Sequence, residues 1–73
     1  EDFIMKLSAR NQIKGTVTSI TEGVVNAKVT IDIGGGNVIT SVISVDAAKD
    51  LGLAIGSEVI AIIKSSSVIL GIM

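Results

Sequence analysis

From Asn26 to Ile33 the chain alternates without interruption, with Ala27, Val29, Ile31 and Ile33 on one parity and Lys28, Thr30 and Asp32 on the other. Period-two alternation marks a half-buried antiparallel strand, one face on a core and one in water. The segments that follow are different. Val38 to Ser44 is apolar on both parities, through Val38 and Val42 against Ile39 and Ile43. Ser57 to Lys64 repeats this with Val59, Ala61 and Ile63 against Ile60 and Ile62, and Val68 to Ile72 reads as a last apolar strand. A single domain of 73 residues can hardly cover both faces of three such strands, because small folds bury a smaller fraction of their surface. The pattern therefore predicts a homo-oligomer.

The remaining elements follow from local signals. Asn11 to Glu22 is rich in β-branched residues, and its apolar parity switches between Val17 and Ile20, which predicts a strand with a bulge near Thr18-Ser19. Gly34-Gly35-Gly36-Asn37 reads as a hairpin turn, since these residues accept positive φ. A phosphate-binding loop is the weaker reading of the same glycines: a strand follows them, not a helix, and no Gly-Lys-Ser/Thr is attached. Ser44 to Gly52 carries a helix signature of about two turns. Ser44 is the N-cap, Asp46 lies in the first turn, Val45, Ala48 and Leu51 share a face, and Gly52 is the stop. The predicted fold is all-β: a small five-stranded OB-like barrel with one short helix between strands 3 and 4. The chain has no proline, so edge strands lack one common protection against pairing, and strand exchange between subunits is a reasonable outcome.

Composition excludes several functions. With six basic and seven acidic residues and one aromatic, Phe3, the chain has neither the basic stripe nor the stacking platform of a nucleic-acid binder. Cysteine and histidine are absent, which removes disulfides, thiolate or imidazole metal sites and the commonest catalytic groups. A serine–lysine dyad from Ser65 or Ser8 with Lys64 is conceivable, but the carboxylates fall singly and the chain reads as a non-enzyme. No apolar run approaches ~18 residues, and Glu1-Asp2 is the wrong start for a signal peptide. The expectation is a cytoplasmic protein that does not engage a membrane. Residues 5–73 form one domain in this reading, with Met5 a candidate natural start and residues 1–4 an N-terminal extension.

The residues left for function lie at the two ends. Lys6-Leu7-Ser8-Ala9-Arg10-Asn11-Gln12 and Ile62-Ile63-Lys64-Ser65-Ser66-Ser67-Val68 each set a cation beside hydroxyls and small side chains. Arg10 or Lys64 alone is a bland surface charge. Together with Ser8, Ser44, Ser65 and the small Ala9 and Ala47, they supply what a tetrahedral dianion needs: cationic donors, neutral O–H and N–H donors, and room for backbone amides. An acceptor-poor site favours a fully ionised oxyanion such as molybdate, tungstate or sulfate over hydrogen phosphate, whose proton would lack a partner.

Four segments in order carry a family resemblance. Met5-Lys6-Leu7-Ser8-Ala9-Arg10-Asn11-Gln12, Glu22-Gly23-Val24-Val25-Asn26-Ala27, Leu51-Gly52-Leu53 with Gly56-Ser57-Glu58-Val59, and Ile63-Lys64-Ser65-Ser66-Ser67-Val68 together resemble a Mop domain. This molbindin unit also occurs in molybdate-responsive regulators and is related to the TOBE domains of transporter ATPases. The resemblance spans Met5 to Ile72 and implies a cytoplasmic molybdate- or tungstate-binding protein for storage and homeostasis, without an organic cofactor or a direct cation site. It implies a hexamer built as a trimer of dimers. The alternative it leaves open is a ligand-sensing accessory module of a molybdate transporter ATPase or a molybdate-responsive regulator; a ligand-free structural barrel is a third reading. The implied interface site comprises Ser8, Arg10, Ser44, Ala47, Lys64 and Ser65. A second site near a threefold axis would use backbone amides of Gly23, Val24, Val25 and Asn26. Ser65 stands where alanine is common in the family, and Ala47 where some members have a hydroxyl. In this reading Arg10 and Lys64 meet across a subunit boundary, and Ala47 offers its N–H to the anion.

Overall fold

The computed structural model describes residues 7–73. The expectations about Met5 and residues 1–4, and Lys6 of the first basic segment, lie outside the described residues. Four strands run β1 (Asn11–Glu22), β2 (Asn26–Gly34), β3 (Asn37–Ser44) and β4 (Glu58–Ile63), with helix α1 (Val45–Asp50) between β3 and β4 and a 3-10 turn at Ser65–Ser67. They form one antiparallel sheet in the order β3-β2-β1-β4. Strand β1 is shared unequally: residues 11–16 pair with β4, and residues 16–22 pair with β2.

The parity switch in β1 is a bulge. Val17 pairs with Ile31 and Ser19 with Thr30, which leaves Thr18 as the extra residue, its hydroxyl donating to the Thr30 carbonyl at 3.3 Å. One inserted residue returns the apolar side chains to the same side, so Val17 is buried and Ile20 packs against the core. In β2, Ala27, Val29 and Ile31 are buried while Lys28 and Asp32 face out, as the alternation requires. Val17, Val29 and Ile31 make the core cluster, with Ile20, Ile33, Ile43, Leu53 and Val59 around it. The β2–β3 hairpin closes through Gly35 and Gly36, whose φ values of +63° and +78° fit a two-residue turn matched to the sheet's right-handed twist.

Helix α1 begins where the sequence places it. The Ser44 hydroxyl accepts from the Ala47 amide at 3.0 Å, and Ala48 is buried against the sheet. Gly52 N–H donates to the Lys49 carbonyl and Leu53 N–H to the Ala48 carbonyl, a Schellman ending that stops the helix. The loop that follows is bonded to itself by Ser57 and to β1 through Val17, whose amide donates to the Ser57 carbonyl at 2.9 Å.

The expected fifth strand, Val68 to Ile72, is not a strand within this chain. Ser65–Ser67 winds right-handed instead of reversing the chain onto β4, so residues 68–73 find no sheet edge, and Ile69 and Leu70 are about nine-tenths exposed. The result is a half-barrel of four strands whose edge strands, β3 and β4, flank an open groove of about 270 Å³ lined by Ile39, Ile43, Leu51, Leu53, Val59 and Ile63. Val38 and Val42, expected to be covered, stand exposed on the outer face of β3.

Gly15 is the glycine this curl requires. A Cβ there would clash with Ile31 Cγ2 and sit 2.9 Å from the Asp32 carbonyl oxygen, and neither neighbour is a flexible side-chain end. Gly15→Ala is expected to destabilise the protein by about 2 kcal/mol, lowering the melting temperature by roughly 10 °C at fixed protein concentration. Thermal denaturation followed by circular dichroism checks this, and an unchanged midpoint would show that the strands separate freely at this crossing.

Candidate functional site

The ten site residues read from the sequence fall into two groups at opposite ends of the sheet. At one end, the last β1–β4 pair is Asn11 with Ile63, so Arg10 and Lys64 leave the ladder side by side, followed by Ser8 on one segment and Ser65 on the other. Arg10, Lys64, Ser8 and Ser65 are all exposed. Among the described residues neither cation has a carboxylate within ion-pair distance; the ion pair nearby is Lys14 Nζ with Glu58 Oε1 at 3.9 Å. Two cations carried together repel each other, and with no counter-charge among the described residues this end favours an anion.

The 3-10 turn adds neutral donors. Ser67 N–H donates to the Lys64 carbonyl and Val68 N–H to the Ser65 carbonyl, while the amides of Ser65 and Ser66 have no partner among the described residues. Orphan amides at the start of a helical turn point outward along its axis, so the turn presents N–H groups as well as three hydroxyls. Both segments are held by side-chain amides that sequence reasoning did not assign. Asn11 Nδ2 donates to the Ile63 carbonyl at 3.2 Å, and Gln12 Nε2 to the Ala9 carbonyl at 3.3 Å. The available signal was two amide side chains directly after Ser8-Ala9-Arg10.

At the other end, Asn26 pairs with Ser44, and Val45 N–H donates to the Val25 carbonyl at 2.7 Å, which ties the Gly23–Asn26 turn to the start of α1. Ser44, Ala47, Gly23, Val24, Val25 and Asn26 therefore cluster here. Two expectations change in detail. The Ala47 N–H caps onto Ser44 Oγ, so at this position the outward donor is the serine O–H, which its acceptor role leaves available. The Gly23 N–H is taken by the Asn26 carbonyl at 2.8 Å, while the amides of Val24 and Val25 have no partner among the described residues and Val24 is fully exposed.

Arg10 and Lys64, expected to meet across a subunit boundary, stand at adjacent strand ends of one chain. What it keeps apart is Ser44 and Ala47, separated from Arg10 by the twelve-residue length of β1, at ~3.3 Å per residue. The six residues of the interface site do not converge within one chain. Among the described residues no group of His, Cys, Asp and Glu could hold a metal ion, and no helix is long and apolar enough to cross a membrane.

A four-stranded antiparallel half-barrel with a capped helix before its last strand is a small all-β domain of the OB-like kind. The sequence matches the TOBE domain over residues 7–70, and the chain belongs to that family. It is 59% identical over 68 residues to a probable molybdenum-pterin-binding protein of Haemophilus influenzae, covering 93% of this chain and 99% of the relative. The structure superposes on MopII from Clostridium pasteurianum with a TM-score of 0.85 at 46% identity, over 92% of this chain and all of that one. It also superposes on the cytoplasmic molybdate-binding protein ModG, solved with molybdate bound, with a TM-score of 0.79 at 44% identity, over 90% of this chain and 53% of ModG.

Proposed function

We propose that this protein binds molybdate or tungstate as an oxyanion, for storage and homeostasis in the cytoplasm, at sites completed between subunits of a homo-oligomer. The observation that carries the reading is the placement of Arg10 and Lys64 at one sheet end with no carboxylate among the described residues against them. The kinship with molybdate-binding proteins selects the anion class. Arg10 and Lys64 neutralise the dianion. Ser8 and Ser65, with the free amides of the 3-10 turn, donate to its oxygens, and Ser44 and Ala47 of a neighbouring chain supply the third wall. The Val24 and Val25 amides, with Gly23 and Asn26 shaping their turn, form the second site.

The oligomer has its own support. Residues 68–73 expose Ile69, Leu70, Ile72 and Met73, and the β3–β4 groove of each chain is apolar and flanked by strand edges with unpaired backbone groups. The terminal segment of one subunit laid along the groove of another supplies the missing fifth strand and covers both surfaces. A hexamer arranged as a trimer of dimers satisfies these demands with closed symmetry. Because the sites need two chains, anion and assembly stabilise each other.

Isothermal titration with molybdate, tungstate and sulfate, with light scattering before and after, tests this reading. Saturable heat with the metal oxyanions at micromolar protein and a mass several times 7.4 kDa are expected. No heat with either metal oxyanion would overturn it. The second reading, a ligand-sensing module of a molybdate transporter ATPase or regulator, is favoured by the fact that the chain spans about half of ModG, so the fold also serves within a longer protein.

A further inference from the structure

Two carbonyl oxygens border the Arg10 end, and both are occupied by side chains with no role in the reading above. The Ala9 carbonyl shares a peptide unit with the Arg10 N–H and lies between Ser8 and Arg10. The Ile63 carbonyl shares one with the Lys64 N–H. Gln12 Nε2 donates to the first and Asn11 Nδ2 to the second, and both side chains are half-buried. In a planar trans peptide the C=O and N–H point in opposite directions, so anchoring each carbonyl turns the paired N–H away from the anchoring side chain.

We infer that Asn11 and Gln12 are specificity-determining residues, which exclude protonated oxyanions from the Arg10 end by engaging its bordering carbonyl acceptors. The inference rests on the proposal that this end binds a dianion. Molybdate and tungstate at neutral pH carry no proton and need only donors. Hydrogen phosphate carries one proton that must be accepted, and a carbonyl already holding an amide N–H is a poorer and differently directed acceptor. The same two bonds orient the peptides that carry Arg10 and Lys64, so each side chain acts through backbone that it holds rather than by touching the anion. Neither is called on for charge.

The test uses Gln12→Met and Asn11→Leu, near-isosteric changes that remove the donors, singly and together. Each protein is titrated with molybdate and with inorganic phosphate, and its mass and anion-free melting temperature are recorded. For the double variant the molybdate affinity is expected to fall about tenfold, the loss of oriented hydrogen bonding, while phosphate affinity holds or rises. The molybdate-to-phosphate ratio therefore falls at least about tenfold. A parallel loss of both anions, the signature of a merely structural role, would overturn the inference, and so would unchanged affinities. If the double variant does not fold, Gln12→Met alone decides, because its bond is local, to the Ala9 carbonyl ahead of the first β1–β4 pair, and the backbone pairing of Gln12 with Ile62 is kept. Failure of the unsubstituted protein to bind molybdate would instead overturn the proposed function.

Discussion

Arg10→Ala combined with Lys64→Ala is expected to remove molybdate binding at micromolar concentrations while leaving the anion-free protein folded and as stable as before. The two changes delete both cationic donors from one sheet end. A hydrogen bond to a charged group contributes about 1.5–3 kcal/mol, so losing two weakens binding by at least about 100-fold. Stability should not follow, because both side chains are exposed and neither has an ion-pair partner among the described residues. Separating like charges relieves repulsion, so the anion-free melting temperature holds or rises slightly. Titration calorimetry and thermal melting with and without molybdate read the two effects separately. The control is Lys28→Ala with Lys49→Ala, which lowers net charge equally at exposed positions on β2 and α1. If that control loses binding to the same extent, overall charge and not this site attracts the anion.

Removing residues 68–73 is the second large effect, and it acts on assembly first. Val68, Ile69, Leu70, Ile72 and Met73 are exposed in the chain, and burying a side chain of this kind contributes about 1.5–3 kcal/mol. Even half of that sum exceeds what a small homo-oligomer can lose and remain assembled at micromolar concentration. The truncated chain is therefore expected to elute at a lower mass and to bind molybdate far more weakly, since Ser44 and Ala47 no longer reach a neighbour's Arg10 and Lys64. Leu70→Asp is the milder variant if truncation prevents folding, because a carboxylate cannot enter the groove without a partner. Retention of full size by both variants would mean that another surface, such as the exposed Val38 and Val42 of β3, holds the subunits together.

Much of the fold was legible because its signals are local. The alternation from Ala27 to Ile33, the parity switch at Thr18, the Gly-Asn turn and the Ser44 cap each concern a few neighbouring residues, and each element formed within a residue of its expected bounds. The fifth strand was not legible, because a strand is completed by a partner edge, and apolar character from Val68 to Ile72 does not say which chain provides it. Gly15 passed unnoticed for a related reason: its role depends on Ile31 and Asp32, which approach only once β1 and β2 are paired. The candidate site residues were legible as chemistry but not as geometry. Residue types alone grouped Arg10 and Lys64 with Ser44, and only the β1–β4 register reveals that one chain carries the first two together and holds the third a strand's length away.

Thr16 is the one residue of β1 paired on both sides, with Asp32 and with Glu58, and the bulge at Thr18 comes two residues later. The strand thus behaves as two short rods joined at a corner, one belonging to the cationic end and the other to the helix end. A one-residue insertion or deletion in either rod shifts the pairing of its own half, and the unpaired bulge position absorbs the slip before it crosses the corner. The two ends of the sheet are thereby set by two separate registers, so a change in the β4 pairing of residues 11–16 leaves the β2 pairing of residues 19–22 in frame.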